Sequence, residues 1–311
     1  MKRALTAVLL AVALLLSGCS PVVESVQEEV RVYASFYPIY ALSSLVLDGV
    51  SGIRLSCLSQ PQDGCLRSYE MSDWDMHLLA YDADALIMGG RGLESYEGAM
   101  YSLGGSAPAL INAMYALDLY NDDGDAVQIS EDTSHLVGEN PYYYMSVTGA
   151  ARMVENIADS IAGLLPEKAD EIAENGISAR KTLSDLRSRT QEICADVRGQ
   201  KVILLNEALI YPAMDYALEV EYWYDRESGD TLYGAQLTAL IDALAQCHSR
   251  VVLIEKQAPA ELVRALEDAG FRVALMDIMN AYALGLGGEG YISAQLENAR
   301  AIAGAFGSEV E

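Results

Sequence analysis

Between Pro166 and Gly199 the chain carries one unbroken helical pattern. Ala169, Ile172, Ala173, Ala179, Leu183, Leu186, Ile193 and Val197 fall on one face at helical spacing. Pro166 suits the first turn of a helix and Gly199 suits its end. About 30 residues at 1.5 Å each would make a rod of ~45 Å. One small lobe has no use for a rod that long, so the pattern predicts a backbone helix, residues 166–198, that joins two bodies.

On either side the pattern changes to short strands alternating with helices. VRVYASF and GIRLSCL read as strands, with a helix over Tyr40–Leu47 between them. ALIMGG is a buried-strand run closed by glycines, and Ala109–Ala113 is another short apolar run. Apolar positions 150, 153, 154, 157, 158, 161 and 164 predict a helix that ends at Leu165. After the rod, KVILLN, SRVVLIE and FRVALMD read as strands, separated by helices at 208–218, 232–246 and 259–269. A last helix is predicted over about 291–306. Strand–helix alternation argues for parallel sheets covered by helices. The predicted class is therefore α/β: an N-terminal lobe (31–165) and a C-terminal lobe (199–311), each with a mainly parallel sheet, hung on one backbone helix.

The N-terminus reads MKRALTAVLLAVALLLSGCS. Two cations precede an apolar run, Ala4 to Leu16, that is too short for a stable span. Leu16-Ser17-Gly18-Cys19 resembles the lipobox of bacterial lipoproteins. That resemblance implies a signal peptide (1–18), lipidation at Cys19 and a tether (19–30). The mature protein would then sit at the extracytoplasmic face of the cell membrane by its lipid anchor. The full chain has 20 basic and 45 acidic residues, a formal charge of −25, which becomes −27 once Lys2 and Arg3 leave. Such a surface repels nucleic acid and anionic headgroups. With 51% apolar residues the chain is globular.

Beyond Cys19 four cysteines remain: Cys57, Cys65, Cys194 and Cys247. An oxidising compartment favours bridges, and of three connectivities Cys57–Cys65 with Cys194–Cys247 keeps each pair in one lobe. Free thiols are the alternative. A four-cysteine zinc site is not expected, because no closely spaced cysteine pair exists.

Several phrases resemble one family, the solute-binding lipoproteins of zinc and manganese ABC transporters. They are SFYPIYAL (35–42), SYEMSDWDMHLLAYDADALIMGGRGLESY (68–96), MVENIADSIAGLLPEKADEIAEN (153–175), NEALIYPAMDYAL (206–218), VLIEKQAPAELVRALEDAGFRVALMD (252–277) and GYISAQLENARAI (290–302). The resemblance implies a monomeric binding protein, not an enzyme, that passes a divalent metal (Zn or Mn) to an ABC permease and ATPase. It also implies four ligand positions in an interlobe cleft. In this sequence they hold Arg67, Tyr142, Asn206 (with Glu207 beside it) and Asp277. The family's histidines are replaced at the first two. Only Asp277 keeps the expected chemistry, and Glu207 is a further oxygen donor.

Arginine has no lone pair to offer, so Arg67 cannot ligate a cation. Two arrangements follow. Arg67 reaches Asp277 across the cleft, with Tyr142 and Asn206 completing the hydrogen bonds, and the cleft is then closed without metal or accepts a small anionic or zwitterionic group; or Arg67 points to solvent. Oxygens of Glu70, Glu207 and Asp277 would suit manganese better than zinc. The three histidines, His77, His135 and His248, show no paired ligand spacing. His77 is expected to pack structurally, His135 lies in an acidic loop, and His248 ends a helix. NDDGD (121–125) lacks the closing acid of a calcium loop, and GLGGEG (285–290), which opens the last helix, reads as a flexible loop rather than a phosphate cradle. No nucleophile–base arrangement suggests catalysis.

Overall fold

The computed structural model describes residues 29–58, 66–102, 107–117, 140–224, 226, 231–280 and 286–308. The first half runs β1 (Val30–Ala34), α1 (Tyr37–Leu47), β2 (Ile53–Cys57), α2 (Asp73–Tyr81), β3 (Ala85–Met88), α3 (Glu97–Ser102) and β4 (Ala109–Asn112). Two antiparallel helices follow, α4 (Val147–Leu164) and α5 (Ala169–Ile193). The second half runs β5 (Lys201–Leu204), α6 (Ile210–Asp215), β6 (Glu219–Trp223), α7 (Gly234–Ala245), β7 (Val251–Glu255), α8 (Ala260–Asp268), β8 (Arg272–Met276) and α9 (Gly288–Phe306).

Each half forms a four-stranded, all-parallel sheet, in the orders β2-β1-β3-β4 and β6-β5-β7-β8. The two orders are the same pattern used twice. The expected α/β class with two helix-covered parallel sheets is what forms. In both sheets the order reverses at the first strand, so β1/β3 and β5/β7 each open a crevice at their carboxyl ends, where α/β sheets bind ligands. Period-two alternation decides which core each strand serves. In the second sheet Val202, Leu204, Val251 and Leu253 face the main core, while Ile203, Leu205, Val252 and Ile254 face a smaller one with Leu240, Leu244, Leu262 and Phe271.

The rod forms as α5, preceded by a tight turn at Pro166–Lys168 and followed by one at Ala195–Val197. Its 25 residues span roughly 37 Å. It buries Ile172, Gly176, Ala179, Leu183, Leu186 and Thr190, a stripe spaced alternately by four and three. Gly176 permits the close crossing with α4: a Cβ there would lie 2.9 Å from that of Ala158. The main core continues from β1 and β3 along this stripe to Leu204, Met276 and Ile302.

The last helix is shared by both halves. Its N-terminal end rests on α1, where the Gly288 N–H donates to Ser44 Oγ at 2.6 Å, and its body packs on β8 and α5. The 285–290 segment opens this helix as expected: from Gly288 on it is the first turn rather than a flexible loop. The glycines are there for proximity, since a Cβ on Gly288 would collide with Leu45 and one on Gly290 with the Tyr37 hydroxyl.

The proposed Cys194–Cys247 bridge does not form; both are thiols. Cys194 ends the rod inside the main core, donating to Ala299 O at 3.5 Å, and burial pushes its thiol up to about 12. Cys247 packs against the smaller core, across the second sheet. Cys65 and Cys19 lie outside the described residues, so the Cys57–Cys65 pairing and the lipid site do too.

Leu183 sits at the centre of the buried stripe with no exposure. Leu183→Ala is expected to lower unfolding free energy by about 2–5 kcal/mol in urea denaturation, with an unchanged denaturant slope. A loss below about 0.5 kcal/mol, the range of ordinary surface substitutions, would show that the rod does not carry the core.

Candidate functional site

The carboxyl ends of both sheets meet the positions singled out in the sequence. In the first half, β3 runs into Gly89-Gly90 and then Glu94. The Glu94 carboxylate is buried and accepts from Ser35 Oγ at 2.6 Å and from the N–H groups of Gly89 and Gly90, each at 2.8 Å. This closes the β1/β3 crevice. Gly90 has φ +84°, and a Cβ there would strike the Asn112 side chain.

Arg67 lies in a short turn, Leu66–Ser68, ahead of α2. Ser72 caps α2: its Oγ accepts from Asp75 N–H, and the Asp75 carboxylate accepts from Ser72 N–H. Arg67 Nη1 reaches Glu207 Oε1 at 2.9 Å, in the turn that opens the second half. The Glu207 side chain is largely covered, while that of Arg67 is 43% exposed.

The other positions converge on the same junction through scaffold bonds. Asn140 Nδ2 donates to Glu207 O at 2.8 Å, Asn140 Oδ1 accepts from Tyr142 N–H at 2.9 Å, and the Tyr211 hydroxyl donates to Asn140 O at 2.7 Å. Tyr142 is buried, with its ring edge-on to Tyr144. Tyr143 packs on Tyr211, and the Tyr144 hydroxyl donates to Ile278 O at 3.0 Å, so the YYY run fastens the two halves together. Asn206 Oδ1 accepts from Ala208 N–H at 2.9 Å, and its Nδ2 faces Glu255 Oε2 at 3.4 Å. Glu255 ends β7 and pairs with Arg226, both side chains nearly fully buried. Burial pushes the Glu255 carboxyl up, and the Arg226 guanidinium opposes that rise.

Arg67 does not pair with Asp277, nor does it point freely into solvent. The Asp277 carboxylate accepts from Met279 N–H at 2.9 Å and lies 3.6 Å from Lys256 Nζ, while its own N–H donates to Asn298 Oδ1 at 2.7 Å. Met279 has φ +55°, a left-handed conformation braced by that Asp277 contact. Asp277 is thus engaged by its own half, through β7 and α9, and Glu207 is the acid that projects to Arg67.

The two histidines among the described residues, His77 and His248, do not share a site. His77 is exposed on α2, stacked between the surface rings of Trp74 and Tyr81, rather than packed on the sheet. His248 is exposed and bonded to Glu221 at 2.7 Å. His135 and the NDDGD run lie outside the described residues. Among the described residues no group of three or more His, Cys, Asp or Glu is arranged to hold a metal ion. Sequence reasoning missed Glu94, Asn140, Lys256 and the Arg226–Glu255 pair. Glu94 stands inside a phrase already quoted (68–96), and Asn140 lies two residues before Tyr142; the other pairings join residues that no local spacing connects.

Burial raises the Glu94 carboxyl from an ordinary 4.5 to about 7, against the opposing pull of the Ser35, Gly90 and Gly89 bonds. Between those two values the folded protein holds a proton that the unfolded chain has released. Stability from this group is therefore greatest at the acid end and falls as pH rises through the window. Glu94→Gln is expected to be less stable at pH 5 but to show a shallower decline towards pH 8 in denaturant titrations; identical slopes would refute the assignment.

The family model described as zinc-uptake complex component A, periplasmic, matches residues 32–305. The zinc-binding protein AdcA of Streptococcus pyogenes (serotype M6) is 23% identical over 264 residues, covering 80% of this chain and 50% of the relative. The zinc-binding lipoprotein AdcA of Streptococcus pneumoniae (strain R6) is 20% identical over 308 residues, covering 93% and 58%. The chain thus spans about half the length of the curated relatives it matches. In fold it is similar to the Zn(II)-bound ZnuA-like domain of S. pneumoniae AdcA, with TM-score 0.72, 20% identity and coverage of 89% and 98%. It is equally similar to FpvC of Pseudomonas aeruginosa in complex with Mn2+, with TM-score 0.73, 18% identity and coverage of 89% and 98%. With a match spanning most of its length, on two like parallel sheets joined by one long helix, this chain belongs to the zinc-uptake complex component A family of solute-binding proteins.

Proposed function

We propose that this chain is the extracytoplasmic solute-binding component of an ABC transporter of the divalent-metal class. In this reading it is a monomer held at the membrane surface by lipid on Cys19, and it hands its cargo to a permease coupled to an ATPase. It binds and releases; it does not catalyse. Among the described residues no helix is long and apolar enough to cross a membrane. The observation that carries the reading is the 2.9 Å Arg67–Glu207 contact. It joins the turn before α2 to the turn after β5, and so supports treating 67, 142, 206–207 and 277 as one interlobe binding position.

The cargo is zinc or manganese by family, and the side chains present favour the harder ion. Glu207 and Asp277 supply oxygen donors, and such donors suit manganese. The Glu207 carboxylate already rests on a permanent cation. An incoming dication must displace Arg67 or sit beside it, and two unit charges 4 Å apart interact by about 4 kcal/mol at an effective dielectric of 20. Arg67 therefore acts as a tethered competitor that weakens metal capture.

A second reading is favoured by Arg67 and Tyr142 standing where donors are expected. In it the chain keeps the fold for a non-metal solute, or for a non-transport adhesion or sensory role.

Calorimetric titration with MnCl2 and ZnCl2 separates the two. The first reading expects one saturable site, with manganese preferred. Asp277→Ala should weaken it at least about tenfold and Arg67→Gln should tighten it by about as much, which is 1.4 kcal/mol in either direction. Absence of saturable binding in both the native protein and Arg67→Gln would move the assignment to the second reading.

A further inference from the structure

Two strand ends bring a cation and an acid together in the second half. β7 and β8 are parallel neighbours, with Glu255 opposite Met276 in their register. The next residues along the two strands are Lys256 and Asp277. The Lys256 N–H donates to Met276 O at 2.8 Å, which fixes the base of the lysine one residue before the acid.

The two carboxylate oxygens of Asp277 have different duties. Oδ1 accepts from Met279 N–H at 2.9 Å and braces the turn that follows β8. The Asp277 backbone is held by Asn298 of α9, which accepts from the N–H at 2.7 Å and donates to the carbonyl at 2.9 Å. Oδ2 takes no part in that turn, and Lys256 Nζ stands 3.6 Å from it. That distance is within ion-pair range but too long for a hydrogen bond.

Lys256 has a second acid. Its Nζ donates to Glu297 Oε2 at 2.9 Å, on α9 beside Asn298. This is a charge-assisted hydrogen bond of full strength. The ammonium is thus anchored to α9 and leans on Asp277. The side chains of Lys256, Asp277 and Glu297 are 39%, 31% and 54% exposed, so the four-carbon stem has room to shift between the two acids.

We infer that Lys256 is a gating cation for the interlobe site, competing with cargo for Asp277 Oδ2 and retreating to Glu297 when cargo arrives. The inference rests on the reading of Asp277 as a donor to a divalent cation. A dication at Oδ2 repels the ammonium. The lysine then gives up only its looser contact and keeps the Glu297 bond. Arg67 acts on Glu207 from the first half, whereas Lys256 acts on Asp277 from within the second. Lys256 and Glu297 are positioning residues: both set metal affinity without touching the metal.

The test is calorimetric titration of the full chain with MnCl2, repeated with ZnCl2. Lys256→Met should tighten binding at least about threefold, the scale of a partly exposed ion pair. Lys256→Arg, which keeps the charge, should stay near the native affinity. Glu297→Gln should weaken binding by about the same threefold factor, because the ammonium then settles on Asp277. In the double variant Lys256→Met/Glu297→Gln the Glu297 effect should vanish, leaving the affinity of Lys256→Met alone. Circular dichroism and melting of the metal-free variants check that they fold. Equal affinity of native protein and Lys256→Met would overturn the gate while leaving the reading of the site in place. So would an equal loss from Glu297→Gln in both backgrounds, since Glu297 would then act as a surface acid rather than through Lys256. No saturable binding in any of these variants or in Arg67→Gln would overturn both the gate and the reading it rests on.

Discussion

The fold depends on one stripe of side chains on α5. Ile172, Gly176, Ala179, Leu183, Leu186 and Thr190 turn a single helix into the wall against which α4, α1 and α9 pack. A parallel sheet must be covered on both faces, and each half covers one face of its sheet with helices that also touch this rod. The main core is consequently continuous from β1 to Ile302 rather than divided between two independent centres. The crossing with α4 needs a residue without a side chain at 176, and the entry of α9 needs the same at 288 and 290. Small residues set the distances here, and large ones fill what remains.

The rod fixes where the two switch-point crevices lie, and those crevices are closed by the protein's own polar groups. Glu94 fills the first with three accepted hydrogen bonds. Asn206, Glu255 and Arg226 fill the second. Between them, Arg67 and Glu207 place opposite charges in contact. An ion pair this exposed contributes little to stability, of order 0–1 kcal/mol. What the pair does locally is hold a permanent positive charge against the Glu207 carboxylate. The rest of the junction is held by Asn140, by the hydroxyls of Tyr144 and Tyr211, and by ring contacts of Tyr142 with Tyr144 and of Tyr143 with Tyr211.

Much of the fold was readable without coordinates, for a physical reason. The rod, the alternating strands and the helices between them are written in local periodicity, and periodicity reflects burial against a neighbour whatever that neighbour is. Arg67, Asn206 and Asp277 were likewise legible as positions, through phrases that stay together along the chain. Their partners were not. Arg67 is 140 residues from Glu207 in sequence, Asn140 is 67 from Glu207, and Arg226 is 29 from Glu255. From sequence, Asp277 or solvent was the expected surrounding of Arg67; the structure gives it Glu207 instead. The cysteines show the same limit: Cys194 and Cys247 each follow the end of a helix, yet a sheet separates their surroundings.

What the chain's order of residues determined by itself was the class of architecture, the presence and place of the central helix, though not its length, and the strongly acidic charge balance. All of these are properties of single segments or of composition. Tertiary structure alone decided that Glu207 rather than Asp277 meets Arg67, that Asp277 is held by Lys256, Met279 and Asn298, and that the 288 and 290 glycines are contact points. Each of these depends on which distant segments the rod brings within a few ångströms, and hydrogen bonds and ion pairs act only over that range.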